Sequence, residues 1–545
     1  VKLVTAEEMK AIEARGVALG GSTGDFMLNA GTSVYSAIIA QTGFDPNDQN
    51  NRLNEGLAVV LAGAGNNGGD AMVVAGLLKE AFSSAEVKIY FYKRSRPSDP
   101  QGFDTHLTFT DAEEQEGHDL SYPASFEAFE DDLLEAALVV DGLLGAGVSR
   151  PVTGELAHII ETVNLAVDRR KFEPDPLLVV AIDLPSGLNT DTGEVMDVAI
   201  RANLTVCLGY PKIGLFNNKA LLNTGRVVMG DIGLPLEVYK EVEELNKPAL
   251  ATAEFVRYHL PQRPLAGHKG TFGKVMIVSG AMEYLGAPYL CTSAAMRSGA
   301  GLVTLAVPRP LIPVMATKMS ENTFLPLPEE DGADSFNLIA DKLESYQSLL
   351  VGPGIGQTGD KVELIQKLLG SGEMLPPAVF DADALNILSY IPNWWEKLKP
   401  DNILTPHPME LSRLSNLAVA VIEGDRIQSA VNFAKISKQV VILKGAYSVV
   451  AAPDGRVKIN PAANPAMATA GSGDVLAGIC AGLLAQFSRF SDLDPFEVAC
   501  VGVYLHAMAG ELMRRELGDA GVLAGDLLPV IPQAIAAIKS GDGLE

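Results

Sequence analysis

Apolar residues in this chain fall into short unbroken runs. Each run ends in glycine or a carboxylate, and helical spacing follows it. Leu57-Ala-Val-Val-Leu-Ala-Gly63 is the first. A strand wet on one face would alternate apolar with polar, whereas an unbroken run marks a strand covered on both faces, as in a parallel sheet. Ala137–Asp141, Leu177–Asp183, Lys274–Val278, Leu349–Gly352, Val379–Asp381 and Val440–Leu443 have the same form. Between them the pattern predicts helices. One starts at Thr5, with Glu8 closing a capping box, and runs to about Gly16. Others are predicted over Phe26–Thr42, Ala71 to about Ala81, and Val475–Phe487. The alternation predicts an α/β protein built from strand–loop–helix units.

At 545 residues the chain is too long for one ordinary core. Gly225–Pro235 closes a first block, and the proline-rich stretch Pro261–Gly267 forms a joint, so the predicted domains are 1–245 and 250–545. A net charge of −25 argues against nucleic acid or an anionic membrane as partner, but leaves room for nucleotides, which need only local positive potential. The four cysteines, Cys207, Cys291, Cys480 and Cys500, form no CxxC pair and read as reduced core residues. The opening residues VKLVTAEEMKAIEARG lack the apolar segment of a signal peptide, and no apolar run reaches the roughly 18–20 residues of a membrane span. The expectation is a soluble, cytoplasmic protein.

Chemistry collects at the strand ends. The first run enters Gly65-Asn66-Asn67-Gly68-Gly69-Asp70, a Rossmann-like turn that is not GxGxxG. Two further runs end in Asp141 and Asp183, the latter followed by Leu184-Pro185-Ser186. In a parallel sheet the ligand crevice lies beyond the carboxyl ends of the strands, so Asn67, Asp141, Asp183 and Ser186 can converge there. Oxygen donors of this kind suit a hard cation, with potassium, sodium and magnesium all open; the plain alternative is that the two acids cap turns.

In the second half, Asn464–Gly478 (NPAMATAGSGDVLAG) runs glycines and small residues into an apolar helix. A glycine turn opening a helix presents unpaired backbone N–H groups, an anion site sized for phosphate. Asp474 within it is placed to accept a proton from a hydroxyl attacking a phosphoryl group; the alternative is a simple helix cap. His407 lies between two prolines, as either a substrate contact or a turn histidine, and Lys444 ends a strand. His268 and Lys269, a basic pair in a glycine loop, are expected near phosphate. These features together read as a phosphoryl-transfer domain of the ribokinase-like class.

Longer stretches carry a narrower resemblance. AGNNGGD, DGLLGAGVSRPVTG, IDLPSGLNTDTG and TVCLGYPKIGL resemble the YjeF-type NAD(P)H-hydrate epimerase domain over nearly all of residues 1–240. The resemblance implies a three-layer fold and a potassium ion held by Asn67, Asp141 and Ser186. It implies hydrate binding by Asn66, Asn67, Gly68, Gly69, Asp70, Gly145, Ala146, Gly147, Val148, Ser149, Arg150, Pro151 and Asp183, with Asp183 as acid/base. Ala71 stands where that family usually has glycine.

HKGTFG, GPGIG, DADALN, TPHPME, LKG and NPAMATAGSGDVLAG resemble the NAD(P)H-hydrate dehydratase domain over roughly 250–540. That resemblance implies hydrate contacts from Ala287, Gly354 or Gly356, His407 and Asp474. It implies nucleotide contacts from Lys444, Gly445, Ala446, Tyr447 and Ser448, and from Asn464, Thr469, Ala470, Gly471, Ser472 and Gly473. Met409, Ala466 and Ala470 stand at positions where glycine is frequent. The order of the two halves is that of the bifunctional NAD(P)H-hydrate repair enzymes. The resemblance therefore implies hydrated NADH and NADPH as substrates and ADP (alternatively ATP) with magnesium as donor; a homo-oligomer is also expected. Two other readings stay open: a ribokinase-like small-molecule kinase with an accessory N-terminal domain, and a first domain that only binds a nucleotide-like ligand as a sensor.

Overall fold

The computed structural model describes residues 1–46, 48, 51–93, 123–245, 247–371, 374–400, 402–490 and 494–544. The chain divides into two compact units, Val1–Leu245 and Asn246–Glu545.

Among its described residues the first unit holds six strands: β1 (Leu57–Ala62), β2 (Glu86–Phe91), β3 (Ala136–Gly142), β4 (Leu178–Ile182), β5 (Leu204–Leu208) and β6 (Arg226–Gly230). They form one parallel sheet in the order β2-β1-β3-β4-β5-β6. The unbroken apolar run of β1 serves both faces by its period of two. Ala58, Val60 and Ala62 join the core beneath the helices Ala6–Ala18, Thr23–Thr42 and Asn66–Ala81, while Leu57, Val59 and Leu61 join the core beneath Pro123–Glu135 and Glu155–Arg170. The result is three layers. The order in which strands are added reverses between β1 and β3, since β2 lies on one side of β1 and β3 on the other. That is a topological switch point, the place where open α/β sheets leave a ligand crevice.

The second unit holds β7 (Ala249–Leu250), β8 (Lys274–Val278), β9 (Leu302–Pro308), β10 (Thr323–Leu327), β11 (Ser348–Val351), β12 (Ala378–Phe380), β13 (Ile403–Leu404), β14 (Val440–Leu443), β15 (Val449–Ala451) and β16 (Val457–Ile459). Their order is β10-β9-β8-β11-β12-β13-β14-β15-β16-β7. From β10 to β14 every pairing is parallel; β15 and β16 then add an antiparallel hairpin, with β7 parallel to β16 at the edge. The switch point here falls between β8 and β11.

Among the described residues one helix, Pro495–Leu517, is long and apolar enough to cross a membrane by length and composition alone. Of its apolar window, 78% is buried inside the protein, and residues from Phe496 to Met513 belong to the core of this unit. A helix surrounded by protein has no polar face to show in the sequence.

Candidate active sites

In the first unit the run Asn66–Asp70 is itself the start of the helix Asn66–Ala81, with Gly65 as N-cap, and not a turn preceding a helix at Ala71. Asparagine and glycine have poor helix propensity, so packing decides. A Cβ at Gly68 would lie 1.9 Å from the Gly63 carbonyl oxygen, and only the missing side chain lets the first turn sit on the end of β1. The methyl of Ala71 in turn packs on Gly142, where a Cβ would come within 2.7 Å of it.

Asn67 is buried, and its Nδ2 donates to Ile182 O (2.7 Å) and Leu144 O (3.1 Å). Asp141, fully buried, accepts from Ser186 Oγ (2.6 Å) and Leu143 N (3.2 Å) on Oδ1, and from Ser186 N (2.8 Å) on Oδ2. Ser186 Oγ also accepts from Leu144 N (2.9 Å). Asn67, Asp141 and Ser186 thus share one hydrogen-bonded network at the switch point. Burial pushes the Asp141 pKa up to about 6, against the hydrogen bonds from Ser186 and Leu143. Every donor to it is neutral, and no lysine or arginine among the described residues pairs with it.

Asp183 sits at φ +67°, a left-handed conformation that turns its carboxylate back under β5. Leu208 N donates to it (3.0 Å), and it pairs with the buried Lys212, whose Nζ also donates to Leu208 O (2.6 Å). Burial opposes the charge on Lys212, but Asp183 leads a set of neighbours that more than offset it, and the pKa is raised. A cleft of about 1550 Å³ opens beside these groups. Asn66, Asn67, Asp70, residues 145–151 and Asp183 line it, together with Glu13 and Lys212. Gly68 and Gly69 do not; Gly68 lies behind, against Gly63 at the end of β1.

In the second unit β12, β13 and β14 bring their carboxyl ends together. Asp381 Oδ1 accepts from Thr405 Oγ1 (2.6 Å) and Lys444 Nζ (2.8 Å), and Lys444 lies 3.6 Å from Glu410. The GPGIG loop follows β11. Gly352, at φ +126°, leaves room for the Asp381 carbonyl, which a Cβ would meet at 1.9 Å. Gly354 faces Ala287, at 3.0 Å from its methyl by the same measure, and Gly356 N donates to Asp383 Oδ2 (2.9 Å). His407 caps the helix Pro408–Ser415: its Nδ1 accepts from Met409 N (3.1 Å) and Glu410 N (3.2 Å), while Nε2 lies 3.5 Å from Glu410. The ring is therefore held locally, with one edge exposed.

Asp474 lies in the first turn of the helix Ser472–Phe490, which starts three residues before the expected Val475, and it is not the N-cap. Its carboxylate lies beside Gly471, at φ +90°, and takes no hydrogen bond from the described residues. Burial, then the charge of Asp381, push its pKa up to about 7, with Lys444 opposing and Asp383 and Glu410 adding. Ser472 Oγ lies 3.2 Å from His506 Nε2. Asn464 Oδ1 accepts from Ala466 N (3.0 Å), and its buried Nδ2 has no partner among the described residues.

Tyr447 is only 2% exposed and sits in the core, and Ser448 Oγ donates to Gly445 O (2.9 Å), so both side chains build the turn after Lys444. His268 and Lys269 precede β8, at the amino end of the sheet, with the Lys269 carbonyl packed against Gly301. They stand one strand length, on the order of 15 Å, from the Asp474 turn.

Comparison with known proteins decides between the open readings. Residues 275–533 match the family model described as NAD(P)H-hydrate dehydratase, and residues 23–214 match the YjeF-related protein N-terminus. Over 519 residues, 94% of this chain and 92% of the relative, the chain is 37% identical to the bifunctional NAD(P)H-hydrate repair enzyme of Moorella thermoacetica. The chain belongs to the bifunctional NAD(P)H-hydrate repair enzyme family. The relative of that name from Thermofilum pendens is 30% identical over 99% of this chain and 97% of its own length. Among solved structures, the ADP/ATP-dependent NAD(P)H-hydrate dehydratase of Bacillus subtilis, co-crystallised with ATP/Mg2+, is 30% identical, covering 53% of this chain and 98% of that one, with a TM-score of 0.47.

Within this repair-enzyme chain, sequence reasoning left out Lys212, Glu13 and Glu410. Lys212 lies inside the stretch TVCLGYPKIGL, where a lysine following a proline in an apolar segment was the available signal. Glu13 sits among other charges on the first helix and gave none.

Proposed function

We propose that this member of the repair-enzyme family returns hydrated NADH and NADPH to use, with its first unit exchanging the two hydrate epimers and its second removing water at the expense of ADP. The observation that carries the reading is Asp474: a carboxylate free of hydrogen bonds to the described residues, in the first turn of a long helix, with its pKa near 7. A general base works best when its pKa lies near the working pH.

In the second unit the hydroxyl on the carbon bonded to the ring nitrogen attacks the terminal phosphoryl group of ADP, the phosphoanhydride bond breaks and AMP leaves, and Asp474 Oδ takes the hydroxyl proton. The backbone N–H groups of Gly471–Gly473 and the Lys444 ammonium hold the developing phosphoryl charge. Phosphate then leaves as the nitrogen lone pair forms a carbon–nitrogen double bond, and loss of a proton from the neighbouring ring carbon restores the reduced ring. Asp381, Glu410 and Asp474 all act on Lys444, and Asp383 adds to the negative field at Asp474, a balance that suits a nucleotide arriving with magnesium better than a bare polyanion. Magnesium supplies charge neutralisation between the phosphates.

In the first unit the all-oxygen set of Asn67, Asp141 and Ser186 suits one hard monovalent cation. The buried Asp141 carboxylate has only neutral donors, so a positive charge is the partner it lacks. Potassium would neutralise Asp141 and attract the negatively charged part of the ligand. Asp183, ion-paired with Lys212, moves protons at the hydrated ring. The four cysteines are free and buried, as suits a reducing cytoplasmic compartment.

The test is incubation of the full chain with chemically hydrated NADH and ADP, and separately ATP, following the return of reduced-nicotinamide absorbance and the release of phosphate. Both should appear together, faster with ADP. Accumulation of a phosphorylated alcohol without NADH would instead identify a kinase.

A further inference from the structure

Two carboxyl groups enter the cleft of the first unit from different elements. Asp183 follows β4, and Glu13 lies on the helix Ala6–Ala18. That helix is tied to the segment carrying Lys212: Val4 N donates to Pro211 O (2.9 Å) and Ile213 N to Val4 O (3.1 Å). Glu13 and Asp183 therefore flank Lys212, but only Asp183 is paired with it. Glu13 makes no hydrogen bond and no ion pair with the described residues, although it is half-buried and lines the cleft. A half-buried acid with no structural partner stabilises nothing in the fold.

Their surroundings differ. Asp183 is ion-paired with Lys212, whereas burial raises the pKa of Glu13, with Lys212 opposing and Asp183 adding to the rise. An ion-paired carboxylate and an unpaired one that holds its proton more readily than usual supply a base and an acid to one site.

This inference rests on the first unit being the site of epimer exchange. We propose that Glu13 is the second proton-transfer group of that exchange, acting on the face of the hydrated nicotinamide ring opposite Asp183. Glu13 gives its proton to the ring hydroxyl. The carbon–oxygen bond breaks with its electron pair on oxygen, water leaves, and the ring-nitrogen lone pair closes a carbon–nitrogen double bond. Water then adds to the other face of that carbon; its oxygen supplies the new bond, the π pair returns to nitrogen, and the surplus proton goes to the Asp183 carboxylate. Asp183 hands that proton back to Glu13 through solvent. The reverse direction exchanges the two roles, as an epimerase requires.

The experiment follows epimer exchange by the full chain in heavy-oxygen water, for the wild type, Glu13→Gln and Glu13→Asp. In the wild type each exchange should place one solvent oxygen in the hydrate. Glu13→Gln should slow exchange about 10²-fold or more with nucleotide-dependent repair of the usable epimer unchanged, and Glu13→Asp should recover part of the loss. Exchange by Glu13→Gln at the wild-type rate overturns the proposal. So does an equal loss in both variants, which marks a packing role, and so does exchange without label, which rules out the water-loss step. A wild-type chain that exchanges no epimers refutes the assignment of the first unit instead, and is thereby told apart.

Discussion

Lys444 Nζ lies 2.8 Å from Asp381 Oδ1, so the cation that reaches the Gly471–Gly473 turn comes from the end of β14 and is already paired within the protein. Asp381 is 1% exposed and shares its oxygen with Thr405. Removing one member of such a pair leaves the other charged and buried. Lys444→Met should cost about 3–5 kcal/mol of stability, and Asp381→Asn in the same chain should restore much of it. A double-mutant cycle in urea measures the coupling; additive losses would show the pair to be incidental.

Asp474→Asn should lower dehydration about 10²–10⁴-fold and leave epimer exchange intact, because the amide keeps the shape but accepts no proton. Asp183→Asn should do the reverse, stopping exchange while repair of the usable epimer continues. Phosphate release and epimer exchange measured on both variants separate the two sites. Wild-type repair by Asp474→Asn would reduce Asp474 to a structural residue.

The same carboxylate links activity to stability. Its folded pKa of about 7 lies above the ordinary carboxylate value, so the native state holds this proton more tightly than the unfolded chain. The resulting stability is present in full below about pH 4 and is lost as pH rises through 7. Asp474→Asn should therefore melt a few degrees higher than wild type at pH 8, and the gap should close at pH 4. Wild-type dehydration should fall with acidity below about pH 7, as the base becomes protonated. A gap that widens toward acid would contradict the sign.

Crystals grown with thallium should show an anomalous peak among Asn67, Asp141 and Ser186. Binding requires the ionised Asp141, whose pKa is about 6, so affinity for the cation should drop roughly tenfold per pH unit below that value. Asp141→Asn should flatten this dependence. A tetrahedral zinc-like site would refute the assignment.

Gly352 and Gly356 separate strain from collision. Gly356 has φ +78° with open space around a would-be Cβ, so Gly356→Ala should cost about 1–2 kcal/mol of backbone strain alone. At Gly352 the methyl would also strike the Asp381 carbonyl at 1.9 Å. Gly352→Ala should cost more and should displace Asp381, so nucleotide-dependent repair falls with it. Denaturation and repair rates compared for the two variants check the distinction.

The period of the apolar residues was enough to read the α/β class, because a run such as Leu57–Ala62 that shows no alternation has to be covered on both sides. Local motif chemistry singled out Asn67, Asp141, Ser186 and Asp474 as candidates, since each sits where a buried strand or a glycine turn ends. Helix starts were misplaced at Asn66 and Ser472 because glycine and asparagine spell a turn locally, and only the packing of Gly68 on Gly63 turns the first of them into a helix. The basic pair His268 and Lys269 looked equivalent to Lys444 in sequence. Strand direction, a property of the assembled sheet, put the pair at the amino end and Lys444 at the carboxyl end. Pairings over long separations were decided only by the tertiary structure. Lys212 on Asp183, Lys444 on Asp381 and Glu13 left unpaired in the cleft depend on which strand ends become neighbours, and charge along the chain carries no record of that.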